Sequence, residues 1–177
     1  MSLNIKTDPK TIVIVGGGSA GHVLPALPVV QRLIERQWQV HFVGTHSGLE
    51  EKLLGDLAIT FHGVAAGKLR RYFSWQNFTD VLRIVLGVVQ SVFLLRRIRP
   101  NVIFSKGGFV SFPLVFAGWL LRIPVLAHES DLTPGLANRL VMPFVSTLCS
   151  SFADTQFAGF KGRVVNTGTP IRDDLLL

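Results

Sequence analysis

The stretch TIVIVGGGSAGHV, residues 11–23, constrains this chain more than any other. Thr11 to Val15 are all β-branched, three glycines follow, and a helix-compatible segment begins at once. A short apolar run with no polar break, closed by a glycine turn, reads as a strand buried on both faces. The same unit returns along the chain. Strand candidates are 11–15, 39–43, 59–64, 102–105, 124–127, 146–149 and 163–166. Helical candidates between them are 21–36, 48–56, 76–98, 110–121 and 134–143. Strands alternating with helices predict a Rossmann-like, doubly wound parallel α/β sheet. No repeat, low-complexity segment or long linker interrupts it. One compact domain is expected over 11–170, with 1–10 a disordered or tag-like N-terminus.

Composition supports a packed domain with an unusual surface. Of 177 residues, 48% are hydrophobic and 16% charged, enough to fill a core and too apolar for disorder. The mean hydropathy of +0.42 is high, which implies apolar surface turned to a membrane or a partner. The net charge of +7 calls for phosphates, in nucleic acids or anionic lipids. Two basic clusters, Lys68, Arg70, Arg71 and Arg96, Arg97, Arg99, flank an apolar helix. Aromatics are not interleaved with basic residues as on an RNA-binding sheet, so a lipid surface is expected rather than nucleic acid. The single cysteine, Cys149, excludes a disulfide or cysteine metal site within the chain. The polar start is no signal peptide. Pro113, Arg122 and Pro124 interrupt residues 109–127, and 81–95 is shorter than the ~20 residues a bilayer span needs. A cytoplasmic protein without a transmembrane segment is expected.

Three stretches carry candidate chemistry. Gly16 to Gly21 fit G-x-G-x-x-G, where glycines admit an anion and the next helix offers its N-terminal amides. A dinucleotide site also needs a carboxylate at the end of the second strand. That strand ends in Gly44-Thr45-His46, which argues against a nicotinamide cofactor. His22 follows the last glycine. It is either bonded to a backbone carbonyl at a helix start or aimed into the cleft as a neutral base. SKGGFVSFP, residues 105–113, is a second glycine turn between strand and helix, so a broad site or a long ligand is expected. In HESDLTPGLANRL, residues 128–140, Asp131 or Thr133 suits the cap of a helix beginning at Pro134. His128 and Glu129 fall at the sheet edge, where Glu129 can orient or replace a base opposite His22.

GGGSAGHV, SKGGFVSFP, HESDLTPGLANRL and the late TGTPIRDDLL, taken together and in order, resemble the MurG family. Its members are UDP-N-acetylglucosamine transferases of the GT-B type that convert lipid I to lipid II in peptidoglycan synthesis. The resemblance runs from about residue 11 to the end and covers the N-terminal half only, with 171–177 as the start of a hinge to an absent C-terminal domain. It implies an inverting, metal-independent reaction with no cofactor and UDP-GlcNAc as donor substrate. It also implies a fragment with little activity alone, and roles in cell wall synthesis, cell shape and cell division. His22 and Glu129 would be catalytic. Ser19, Ala20, Gly21, Asp131 and Arg172 would bind donor, although Asp131 stands where many members have asparagine. Gly17, Gly18, Gly107 and Gly108 would hold acceptor phosphate. Tyr72, Phe73, Trp75, Phe78, Leu82 and Trp119, rimmed by Lys68, Arg70, Arg71, Arg122 and Arg139, would form a patch docking on anionic lipids of the cytoplasmic membrane face. Implied partners are undecaprenyl-linked lipid I, that membrane and the missing domain, with no nucleic acid. Two other readings remain: a non-catalytic membrane-anchoring half of a split transferase, and a glycolipid transferase with another acceptor such as diacylglycerol.

Overall fold

The computed structural model describes residues 9–46, 49–55, 57–67 and 76–171, with residues 76–78 described by backbone alone. Among them, seven strands form one parallel sheet. They are β1 (Thr11–Gly16), β2 (Gln39–Thr45), β3 (Thr60–Val64), β4 (Val102–Gly107), β5 (Val125–Glu129), β6 (Thr147–Ser150) and β7 (Arg163–Asn166). Their spatial order is β3-β2-β1-β4-β5-β6-β7. The chain winds one way from β1, returns, and continues the other way from β4. The expected doubly wound sheet is therefore present, with its topological switch point between β1 and β4.

The helices are α1 (Ala20–Val23), α2 (Leu27–Glu35), α3 (Glu50–Leu54), α4 (Gln76–Ile98), α5 (Ser111–Leu120) and α6 (Leu136–Val141). The single helix expected over 21–36 is broken. Pro25 and Pro28 each lack an amide hydrogen, so a 3-10 turn at Leu24–Ala26 separates α1 from α2. The helix expected from Pro134 begins two residues later. Gly135 is its N-cap, and neither Asp131 nor Thr133 caps it.

Alternation along β1 divides the core between the two faces of the sheet. Val13 and Val15 join Leu114, Val115 and Leu95 beneath α4 and α5. Ile12 and Ile14 join Val23, Val30 and Phe42 beneath α1 and α2. Cover thins toward one edge, where β7 is largely exposed.

Helix α4 is apolar on two faces. Gly87, Ser91 and Leu95, spaced four apart, are buried, and the small Gly87 lets the helix approach the Ala65 carbonyl and Pro113 closely. Val81, Leu82, Val85, Leu86, Val89 and Phe93 form a second stripe that is 46% to 68% exposed. This stripe is apolar surface of the kind that the high hydropathy implied. Among the described residues, no helix is long and apolar enough to cross a membrane.

His41 on β2 and His62 on β3 form a close pair, Nδ1 to Nε2 at 3.0 Å with rings stacked. Burial holds both below the ordinary 6.5, and His41 and Arg97 push His62 lower still. The unfolded chain therefore binds protons before the folded one as the pH falls. Stability contributed by this pair is present above pH 6.5 and is lost as the pH drops through the folded-state values. Urea unfolding should show a falling midpoint between about pH 7 and pH 5. The double substitution His41→Gln, His62→Gln should make that fall shallower.

Candidate active site

The site is built by two strand ends that meet at the switch point. β1 and β4 pair regularly from Ile12 with Val102 to Val15 with Ser105, and then Gly16 pairs with Gly107. Lys106 is thus one extra residue in β4, a bulge that re-aims its side chain. Beyond it, Gly108 has φ +88°, and a Cβ there would overlap the carbonyl oxygen of Gly17. The two glycine turns touch backbone to backbone, with no room for a side chain between them.

Glu50, at the start of α3, braces the first turn from below. It is 2% exposed. Its carboxylate accepts the Gly18 amide at 2.8 Å and the Thr45 hydroxyl at 3.2 Å. A Cβ on Gly17 would overlap this carboxylate. The Gly18 amide is thus committed to Glu50, and a buried carboxylate lies beside the turn expected to cradle phosphate.

A cavity of about 240 Å³ opens beside the turns. Its lining combines Gly17, Gly18, Ser19, His22 and Gly108, from the turns and α1, with Ile84 of α4, Phe112 of α5, and Leu136 and Leu140 of α6. His22 is among the lining residues. One ring nitrogen is hydrogen-bonded to the Lys106 carbonyl, and the ring lines the cavity. A carbonyl only accepts, so that nitrogen carries the proton and the other is left with its lone pair. Burial is the main influence on His22 and lowers its pKa. The carbonyl bond, Glu129 and Asp131 raise it, and Lys106 lowers it. The net result favours the neutral imidazole, in a residue that lines the cavity.

Glu129 has a different occupation. It is 4% exposed. Its carboxylate accepts the amides of Asp131 at 3.0 Å and Gly135 at 2.9 Å, and the Asn138 side-chain amide at 2.9 Å. Three donors draw the 130–135 loop around it, while α6 itself has no side-chain cap. Asn138 donates in addition to the His128 carbonyl at 3.2 Å, which turns its own carbonyl oxygen toward Gly107. That oxygen is buried with no hydrogen-bond partner.

Ser19 precedes α1 without capping it by its side chain, and Gly21 is exposed on the first turn beside Ala20. Asp131 is exposed at the loop. Trp119 is 49% exposed yet stacks on Phe116 and meets Phe144 edge-on. Leu82 lies on the exposed stripe, and Arg122 and Arg139 are exposed. Arg172, Lys68, Arg70, Arg71, Tyr72, Phe73 and Trp75 lie outside the described residues, as does the side chain of Phe78. Among the described residues, no three His, Cys, Asp or Glu side chains gather as a metal site.

Sequence reasoning passed over Glu50, Lys106 and Asn138. The last two stand inside quoted motifs. Glu50 had no local signal, because its partner lies 32 residues away. Glu50→Ala should cost about 1–3 kcal/mol in urea unfolding and speed hydrogen exchange at the Gly18 amide. Glu50→Gln, which keeps an acceptor, should restore much of both.

The family model for the glycosyltransferase family 28 N-terminal domain matches residues 12–149, and the chain belongs to this family. It is 50% identical over 167 residues to a Legionella pneumophila (strain Lens) protein and 47% identical to one from Clostridium kluyveri. Each match covers 94% of this chain, and 46% and 47% of the respective relative. Both relatives are named UDP-N-acetylglucosamine--N-acetylmuramyl-(pentapeptide) pyrophosphoryl-undecaprenol N-acetylglucosamine transferase. The chain spans about half the length of these curated relatives. Among solved structures, Acinetobacter baumannii MurG superposes with a TM-score of 0.75 at 26% identity, covering 93% of this chain and 47% of that one. A UDP-N-acetylglucosamine 2-epimerase from Listeria monocytogenes, at 10% identity and a TM-score of 0.64, shares the fold; the match covers 84% of this chain and 41% of that one.

Proposed function

We propose that this member of glycosyltransferase family 28 is the acceptor-side half of an inverting transferase that moves GlcNAc from UDP-GlcNAc to lipid I, giving lipid II. The observation that carries the reading is His22. It belongs to the cavity lining, burial holds its pKa below the ordinary value, and the Lys106 carbonyl bonds to its ring, so a ring nitrogen not used by that carbonyl would accept the proton of a substrate hydroxyl. The names of the half-identical relatives supply the substrates.

The cavity suits a ligand that is charged at one end and apolar at the other. The second glycine turn and the start of α5 offer backbone amides and a positive dipole end to a diphosphate. The first turn is poorer for this, because Glu50 holds the Gly18 amide. Ile84, Phe112, Leu136 and Leu140 form a wall for the first part of a lipid tail. His22 then takes the proton of the attacking sugar hydroxyl as the oxygen closes on the anomeric carbon of GlcNAc and UDP departs. Glu129, saturated by its own loop, keeps that wall of the site in place and leaves proton transfer to His22. The donor would be held largely by residues outside this chain, with Ser19 to Gly21, Asp131 and Arg172 contributing from this side.

The exposed stripe of α4, together with Trp119, suits docking on an anionic membrane face, with exposed Arg122 and Arg139 adding up to about 1 kcal/mol each where they lie near it. Peripheral placement on the cytoplasmic face, and a part in cell wall growth, cell shape and division, follow from the proposed reaction.

The test is transfer of labelled GlcNAc to lipid I by this chain completed with its C-terminal half. His22→Ala should lower kcat by about 10² or more with the fold intact. Near-normal turnover would remove His22 as base, and no transfer by the unsubstituted protein would favour an anchoring subunit or another acceptor. Separately, Leu86→Asp with Phe93→Asp should weaken sedimentation of this chain with phosphatidylglycerol vesicles by about tenfold or more. Unchanged sedimentation would detach α4 from the membrane.

A further inference from the structure

Lys106 is a buried cation that the reaction above leaves without a task. It is 2% exposed and occupies the bulge just before the second glycine turn. Its Nζ lies 3.0 Å from His128 Nδ1 on β5 and is hydrogen-bonded to the Ser130 hydroxyl. The other nitrogen of His128, Nε2, lies 3.1 Å from the carbonyl oxygen of Gly168. We propose that Lys106 is a positioning residue that ties the second glycine turn to the segment leaving the sheet after β7, acting through the His128 ring.

The donors and acceptors can be arranged in only one way while the lysine is charged. An ammonium has donors and no acceptor, so His128 Nδ1 must accept. A neutral ring then carries its proton on Nε2, which donates to the Gly168 carbonyl. The Gly168 carbonyl, which only accepts, calls for the same tautomer, so Lys106 holds at Nδ1 a ring already set to donate to Gly168. The link passes from β4 through β5 to the turn beyond β7. There Gly168 has φ +72° and its amide meets the Asn166 side chain at 3.4 Å.

The charge environment fits a link that depends on protonation. His22 from α1, His128 and Glu129 from β5, and Asp131 from the following loop are the titratable groups acting on Lys106 or its ring partner. Burial is the largest influence on Lys106 and lowers it to about 8, against the pull of Glu129 and Asp131. Burial first and Lys106 second hold His128 below its ordinary value. An apolar side chain in the bulge would avoid the cost of burying an ammonium. The gain from keeping one is a directed bond to a backbone carbonyl two strands away. Where the transferase reading holds, an anion on the second turn would favour the charged lysine and so tighten the exit segment. The link itself does not depend on that reading.

The test uses this chain as it is. Nitrogen-15 NMR of the imidazoles, with His128 assigned by its loss in His128→Gln, reads the tautomer directly. A single Nε2-protonated form is expected near neutral pH. Lys106→Met should speed amide exchange across residues 167–169 by about tenfold or more with the rest of the sheet unchanged. Lys106→Arg, which keeps a cationic donor, should keep that exchange slow. An Nδ1-protonated or mixed ring in the unsubstituted protein near neutral pH would overturn the proposal. So would Lys106→Met with exchange at 167–169 unchanged. If Lys106→Met does not fold, Lys106→Gln takes its place, with the same expected and overturning results.

Discussion

The contact between two backbone turns governs this domain. Gly108 rests against the Gly17 carbonyl at the point where the winding of the described sheet reverses. Neither turn can carry a side chain into that contact, so the strands that feed them must end level with each other. The bulge at Lys106 does this by adding one residue to β4. His22 is placed as a consequence. It begins the helix after the first turn, and its ring is fixed by the carbonyl of the bulged residue before the second. Glu50 below and Glu129 alongside hold the turns and the neighbouring loop by accepting backbone amides. Both carboxylates accept backbone amides of the scaffold, and His22 is the titratable side chain in the lining of the cavity.

The strands were legible because a parallel sheet covered on both faces writes itself as unbroken apolar runs. β7 matched its expected limits, and the others differed by one or two residues at their ends. The glycine turns and His22 were legible because their spacing is local. The breaks in the first long helix were available in Pro25 and Pro28, whose missing amides outweigh the apolar period of 21–36. The rest depends on contacts between residues far apart in sequence. Glu50 reads as one acid among polar residues until the fold sets it under Gly18. Glu129 reads as a partner for His22 until three donors of its own loop surround it. Nothing local marks the bulge, so Lys106 passes for part of a glycine motif.

Helix α4 was ambiguous for a different physical reason. An amphipathic helix declares its buried face by having a polar one, and α4 is apolar on both. The discriminating signal was size. Gly87 and Ser91 occupy the buried face because α4 packs close to Ala65 and Pro113, and bulk goes to the face that none of the described residues covers. Leu82 belongs to that outer stripe, with Val85, Leu86, Val89 and Phe93, which sequence reasoning had not assigned.

The central claim is that the cavity at the switch point receives the charged and the apolar end of one acceptor. The most direct measurement is NMR mapping of a short, water-soluble prenyl diphosphate on this chain. The account predicts shifts at His22 and through the second glycine turn into the start of α5, together with Ile84 and Leu140 on the apolar wall. Shifts confined to Gly18 and the Glu50 side, or no saturable binding at all, would contradict it.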